Sequence, residues 1–332
     1  MHVREELYGI KNLVGSSPSF LRLVKRLPLI SSCDATVLIT GETGTGKEVF
    51  ARAIHQLSSR KNNAFLALDC GAIPVDLIEN ELFGHEQGAY TSATSTQKGI
   101  LQECENGTLF IDEIDCLSLM AQVKLLRLLQ DRQYRPLGSP RIRSANVRII
   151  AATNASLGSL VKGGKFRRDL YYRINVISLK LLPLRERIED IPILAEYFLK
   201  KYSDNLSKNI VKISTDAMLR LKLYSWPGNI RELEHVIERA IVFCNNDYLN
   251  SSDIEFDQEV EERHLSLREE KAQLIANFEK NYLESILTAY DGNVTRAALV
   301  AGKNRRAFIY LLKKYNIEPG RFRPNQPSTH EV

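Results

Sequence analysis

Thr36-Val-Leu-Ile-Thr-Gly-Glu-Thr-Gly-Thr-Gly-Lys-Glu48 is the stretch on which the fold turns. An apolar run of strand length leads into Gly41-Glu-Thr-Gly-Thr-Gly-Lys47, and an amphipathic helical pattern opens near Glu48. Strand, glycine-rich turn and helix in that order make a P-loop. The glycines let backbone amides curl around phosphate oxygens, the helix N-terminus adds partial positive charge, and Lys47 neutralises the terminal phosphates. Gly41, Glu42, Thr43, Gly44, Thr45, Gly46, Lys47 and Glu48 are therefore the candidate nucleotide-binding residues, with ATP and Mg2+ as the expected ligands.

Outward from this stretch, short apolar runs alternate with amphipathic helical patterns from Leu27 to Asn154, as in a parallel sheet covered by helices. Three runs read as strands: Thr36 to Thr40, Gly107 to Ile111 and Asn146 to Ala152. Thr108-Leu-Phe-Ile-Asp112-Glu113 ends on two acids. Asp112 can hold the metal, directly or through water, and Glu113 can polarise an attacking water. Acids that cap a strand are otherwise surface residues; their position about 65 residues beyond Lys47 favours the catalytic reading. Asn154 closes the next strand, where its amide either senses the terminal phosphate or caps the following helix.

Beyond Ile188 the pattern becomes helical, with apolar spacings of three and four over Asp190 to Tyr202, Thr215 to Leu223 and Asn229 to Phe243. The expected organisation is an α/β domain over 1–185, a small all-α lid over 186–249 and a charged linker over 250–272. A helical unit over 273–318 and a tail over 319–332 follow. Across 332 residues, 44% hydrophobic and 26% charged content is that of a globular chain with a sizeable core. The net charge of +5 matters for nucleic acid only where it is concentrated, and it is concentrated near the end. Cys33, Cys70, Cys104, Cys116 and Cys244 show no metal or redox spacing and read as five buried, reduced thiols. No signal core or membrane-length apolar stretch occurs, so the expected location is cytoplasmic, with no membrane partner.

Further motifs carry a resemblance. They are Glu81-Leu-Phe-Gly-His-Glu86 leading into Gly88-Ala-Tyr-Thr-Ser-Ala93, Phe166-Arg-Arg-Asp-Leu-Tyr-Tyr-Arg173, Leu182-Pro-Leu-Arg-Glu-Arg187 and Trp226-Pro-Gly-Asn-Ile-Arg-Glu-Leu233. With the P-loop they resemble the bacterial enhancer-binding proteins, the NtrC-like AAA+ activators of sigma-54 RNA polymerase, over roughly Val14 to Ile317. The resemblance implies an AAA+ fold in which Gly88, Ala89, Tyr90, Thr91, Ser92 and Ala93 tip a surface loop that contacts sigma-54 in the polymerase holoenzyme. The usual form of that segment is Gly-Ala-Phe-Thr-Gly-Ala. Tyr90 keeps the aromatic surface, whereas Ser92 replaces a glycine and removes access to positive φ. It also implies that Arg167 and Arg173 complete a neighbouring subunit's site in an oligomer between dimer and hexameric ring, a contribution worth about 10³ to 10⁵ in rate. Arg231 matches a lid sensor of nucleotide state. Without the resemblance each of these arginines reads as a surface ion-pairing residue. Trp226 reads as packing. Glu48 stands where many P-loops carry a Ser or Thr metal ligand, a family-typical substitution. Asp69 stands where many members place an Asn that restrains the catalytic Glu, so two carboxylates near one another would retune the coupling of sigma-54 contact to hydrolysis.

Asn293-Val-Thr-Arg-Ala-Ala-Leu-Val-Ala-Gly302 reads as a short helix ended by glycine, with a second helix from Asn304 to Tyr315. That is a helix-turn-helix pattern, and Arg296, Lys303, Asn304, Arg305, Arg306, Tyr310 and Lys313 are its candidate contacts to double-stranded DNA. A basic helical pair is otherwise a solvated face. The resemblance to a Fis-type domain favours enhancer DNA, with Gln273 to Ala289 as the dimerising helix. The leading expectation is a sigma-54-dependent activator whose ATP hydrolysis remodels the closed polymerase complex. One rival is an ATP-binding, DNA-binding regulator that does not engage sigma-54 because of Ser92; another is a motor acting on nucleic acid itself. Lys47 lies too near Met1 for an upstream receiver or sensor domain, which implies either control by a regulatory protein acting on the AAA+ region or a fragment of a longer chain.

Overall fold

The computed structural model describes residues 13–89, 93–256, 279, 282–315 and 317–322. The chain divides into two compact units at Phe256. In the first, five strands form one parallel sheet: β1 (Val37–Thr40), β2 (Phe65–Asp69), β3 (Thr108–Asp112), β4 (Arg148–Thr153) and β5 (Ile177–Lys180), in the order β2-β3-β4-β1-β5. The expected α/β class and three of the strands are present, displaced by one or two residues. β2 and β5, the two edges, are additional.

Strand alternation sets the two faces. Val37, Ile39, Phe110, Ile150, Ala152 and Leu179 point to one side and pack under α1 (Pro18–Ser31) and α2 (Lys47–Gln56). Leu38, Leu68, Leu109, Ile111, Ile149 and Ala151 point to the other, under α3 (Val75–Phe83), α4 (Leu119–Asp131) and α5 (Arg168–Ile174). Helix starts follow local chemistry. Ser17 and Ser118 accept hydrogen bonds from Phe20 N and Ala121 N, and Pro18 occupies the first turn of α1.

The lid consists of α6 (Ile191–Asn205), α7 (Thr215–Leu223) and α8 (Asn229–Phe243) around Phe198, Leu221, Trp226, Leu233 and Ile237. α7 and α8 begin and end where periodicity places them. Trp226 is fully buried, its Nε1 donating to Leu221 O at 2.8 Å, which is the packing role expected of it. Two boundaries change: Leu184 already belongs to the lid core, and Ile254 is buried there too. Phe256 stacks on Tyr224 with ring centroids 4.0 Å apart. The linker reading is therefore corrected over Asn250–Phe256, and the rest of that segment lies outside the described residues. The cysteine reading is corrected as well. All five thiols are free, but Cys33 is exposed and Cys116 half-buried, while Cys70, Cys104 and Cys244 are buried. Burial pushes the Cys70 thiol up to about 12 and that of Cys104 up to about 11, so neither forms a reactive thiolate near neutrality.

In the second unit, residues 282–289 are helical, and α9 (Val294–Val300) and α10 (Arg305–Lys314) pack through Ala297, Ala298, Phe308 and Leu312. Asn293 and Asn304 cap them by accepting from Arg296 N at 3.2 Å and Ala307 N at 2.8 Å. Gly302 turns the chain between them at φ 62°. No helix among the described residues is long and apolar enough to cross a membrane.

Candidate nucleotide-binding site

The P-loop leaves the carboxyl end of β1, held beside β4 by Gly41 N donating to Thr153 O at 3.3 Å. Gly44 and Gly46 take φ of 77° and 95°, left-handed values that side chains resist. Their amides and those opening α2 form a concave row suited to phosphate. Lys47 is buried, and its Nζ donates to Gly41 O at 3.1 Å and Glu42 O at 3.3 Å. Burial pulls its ammonium below the ordinary lysine value, opposed by the charges of Asp112 and Glu113. Asp112 ends β3 and Glu113 follows it directly. Burial raises the Asp112 carboxyl above its usual range, and the Glu113 amide and Lys47 oppose this. Glu113 adopts φ 49° and ψ 49°, with its amide donating to Asp112 Oδ1 at 2.9 Å.

Asp69 lies opposite Asp112 in the β2–β3 register. Its Oδ1 accepts from Gly71 N at 2.9 Å and Ala72 N at 3.3 Å, closing a tight turn. A Cβ on Gly71 would fall 1.8 Å from Glu113 Oε2 and 3.4 Å from Asp69 Oδ1, so the two carboxylates flank one bare backbone position. Asn154 follows β4, and its Nδ2 donates to Thr43 Oγ1 at 3.0 Å, which brings it to the P-loop. Thr153 donates to Asp115, an acid that strand-end reasoning passed over.

The lid closes over the loop through Asn229, Ile230, Arg185 and Arg187, to which the sequence alone assigned no role. Fully buried Asn229 accepts from Leu184 N at 2.8 Å and donates to Thr43 O at 3.0 Å and Glu42 Oε2 at 3.2 Å. Ile230 N donates to Gly44 O at 3.0 Å. Arg185 forms a two-pronged ion pair with Glu42 at 2.7 and 2.5 Å, which lowers that carboxyl from 4.5 to about 2. Buried Arg187 donates to Thr45 O at 3.1 Å and faces Asp190, itself fully buried and accepting from Ser16 and Ser17. Arg231 places its Cβ 3.2 Å from a Cβ built on Gly44.

A cavity of about 390 Å³ opens beside Thr45 and Gly46, walled by Phe20, Val49, Phe50, Phe198 and Ile230. Arg187 lines it, and its Nε has no hydrogen-bond partner among the described residues. Left-handed glycines, a buried ammonium, two strand-end acids and an apolar chamber with one orphaned buried donor fit a nucleoside triphosphate with its metal.

Arg167 and Arg173 stand apart from this cluster. Arg167 pairs with Asp169 at 2.7 Å and Arg173 donates to Leu129 O at 2.8 and 3.1 Å; both are exposed on or beside α5. Of the loop segment, Gly88 turns at φ 82° and its amide donates to Ala93 O at 2.9 Å. Ala93 is buried, so it closes the base of the loop instead of tipping it. Ala89 rests against Gly138, where an added Cβ would lie 2.6 Å away. Tyr90, Thr91 and Ser92 lie outside the described residues.

Comparison with known proteins matches residues 13–180 to the sigma-54 interaction domain and residues 185–273 to an AAA+ ATPase lid domain. The chain belongs to the sigma-54 activator family. It is 45% identical over 311 residues to the transcriptional regulatory protein GlrR of Escherichia coli K12, covering 94% of this chain and 69% of that protein. It is 43% identical over 316 residues to the regulatory protein AtoC of the same organism, covering 93% and 68%. The crystal structure of NtrX from Brucella abortus in complex with ATP superposes with a TM-score of 0.68 at 31% identity, over 91% of this chain and 69% of that one. As a sigma-54 activator the chain is an ATPase that drives sigma-54-dependent transcription, with sigma-54 and DNA as its partners. The rival reading, a regulator that does not engage sigma-54, is not favoured.

Proposed function

We propose that Lys47, Asp112 and Glu113 cleave ATP at this site, with the base in the apolar cavity, and that Arg167 or Arg173 of a neighbouring subunit completes the reaction in a ring of up to six subunits. Lys47 holds the β and γ phosphates, Asp112 holds Mg2+ and Glu113 orients the attacking water. Mg2+ supplies neutralisation of the phosphate charge. Asn154 senses the terminal phosphate, and Arg231, on the lid helix that touches the P-loop, reports its loss to the lid. Asp69 acts as a positioning residue through the turn that carries Gly71 beneath the Glu113 carboxylate. The observation that carries this reading is the convergence of the P-loop, the β3 acids and Asn154 at one sheet end, while both arginines lie outside it and need a partner's site to act on.

The segment from Gly88 to Ser92 is the surface that meets sigma-54 in polymerase holoenzyme, braced at its base by Ala93 and Gly138. α9 and α10 form a helix-turn-helix for enhancer DNA. Its support is that Arg296, Lys303, Asn304, Arg305, Arg306, Tyr310 and Lys313 are all exposed, while Ala297, Ala298, Phe308 and Leu312 of the same helices are buried. Open-complex formation on a sigma-54 promoter with hydrolysable ATP tests the whole reading. Wild-type protein is expected to form heparin-resistant complexes and the Arg167→Ala, Arg173→Ala double variant none. Equal activity of the two would remove Arg167 and Arg173 from the mechanism.

A further inference from the structure

The cavity beside the P-loop has a polar rim that phosphate chemistry does not use. Along α8, Ile230 touches Gly44 and Glu234 follows four residues later, one helical turn and about 6 Å farther along the helix from the loop. Along α6, Leu194, Phe198 and Lys201 line the same chamber at helical spacing. The two helices meet at the rim, where Lys201 Nζ lies 2.7 Å from Glu234 Oε1 and Tyr202 OH donates to that same oxygen at 2.9 Å. The other oxygen, Glu234 Oε2, accepts no hydrogen bond among the described residues, and the side chain is only 26% exposed.

We infer that Glu234 is a specificity-determining residue that reads the edge of the base and sets a preference for ATP over GTP. This rests on the cavity being the base pocket proposed above. A purine held between the apolar walls with its phosphates at Thr45 and Gly46 turns its far edge toward the rim. With Oε2 opposite position 6, a 6-aminopurine meets it with an N–H donor and a 6-oxopurine with a carbonyl oxygen; guanine's own donors, N1–H and the 2-amino group, lie farther round the edge. A carboxylate only accepts, so Oε2 satisfies the amine and repels the carbonyl. Tyr202 donates to Oε1 and orients the carboxylate, while the more exposed Lys201 pairs with that same oxygen and leaves Oε2 open.

Steady-state ATP and GTP hydrolysis by the full chain tests this. Gln offers both a donor and an acceptor, so Glu234→Gln is expected to lower the ratio of kcat/KM for ATP over GTP by about tenfold, the effect of one charged hydrogen bond at a partly exposed site. The change is expected in KM, with kcat for ATP retained. Lys201→Met breaks the ion pair but leaves Oε2 in place, and is expected to keep the ratio. An unchanged ratio in Glu234→Gln, or an equal fall in Lys201→Met, overturns the assignment. Where Glu234→Gln does not fold, Glu234→Asp shortens the reach and is expected to lower the ratio likewise; an unchanged ratio there also overturns it. Leu194→Trp fills the chamber and separates the two readings. Unaltered KM for both nucleotides defeats the base pocket itself, whereas raised KM for both with an insensitive Glu234→Gln defeats only the role of Glu234.

Discussion

Glu42 sits in the P-loop, yet its carboxylate is bound by Arg185 and Asn229 at the root of the lid. The pair is substantially exposed, so its worth in stability is modest. Its sign is nevertheless definite. With the folded carboxyl lowered from 4.5 to about 2, the contribution is present above pH 4.5 and disappears as pH falls toward 2. Thermal unfolding followed from pH 5 to pH 2 is expected to fall less steeply for Glu42→Gln than for the natural protein. Parallel curves would show that the pair does not couple to folding. The P-loop and the two acids of β3 were legible because each is contiguous in sequence and sits at a strand end. Arg185, Arg187 and Asn229 were not: they reach Glu42 and Thr45 across 143, 142 and 187 residues, and such distant pairings leave no local periodicity.

At the level of elements, the same contrast separates helices from edge strands. α7 and α8 matched the expected bounds: α8 shows one apolar stripe over several turns, through Leu233, Val236, Ile237, Ala240 and Ile241, and α7 has a clean start, Ser214 capping it by accepting from Ala217 N. β2 does carry a short apolar run, Phe65-Leu-Ala-Leu68, which the strand pattern passed over; as an edge its residues are mostly half-buried or exposed, and it ends in exposed Asp69. The opening of α8 is also where lid and loop are bolted together. Asn229 holds φ 56°, is fully buried and satisfies Leu184 N while donating to Thr43 O. Asn229→Ala strands that amide and puts a residue less tolerant of left-handed backbone in its place. Urea unfolding is expected to show a loss of about 2 to 4 kcal/mol. A change below about 0.5 kcal/mol, the range of neutral surface substitutions, would mean that the lid does not depend on this junction.

On the scale of the molecule, the motor and the C-terminal unit carry different physics. The first closes a buried site with precise hydrogen bonds; the second presents exposed cations on a small apolar core formed by Ala297, Ala298, Phe308 and Leu312. Phosphate contacts made by such a surface are salt-dependent. Arg305→Ala with Arg306→Ala is expected to abolish specific DNA binding and to flatten the log-log salt dependence by about 0.9 per lost phosphate contact. An unchanged isotherm would place these residues outside the interface. Glu113→Gln probes the motor at its chemical step, because the substitution keeps the shape of the site and removes the group that orients water. Nucleotide affinity and phosphate release should be measured on the same preparation. ATP binding is expected to stay within about twofold while turnover falls by about a hundredfold or more; a variant that binds ATP and still hydrolyses it at the natural rate would take Glu113, and this site's hydrolytic role with it, out of the mechanism.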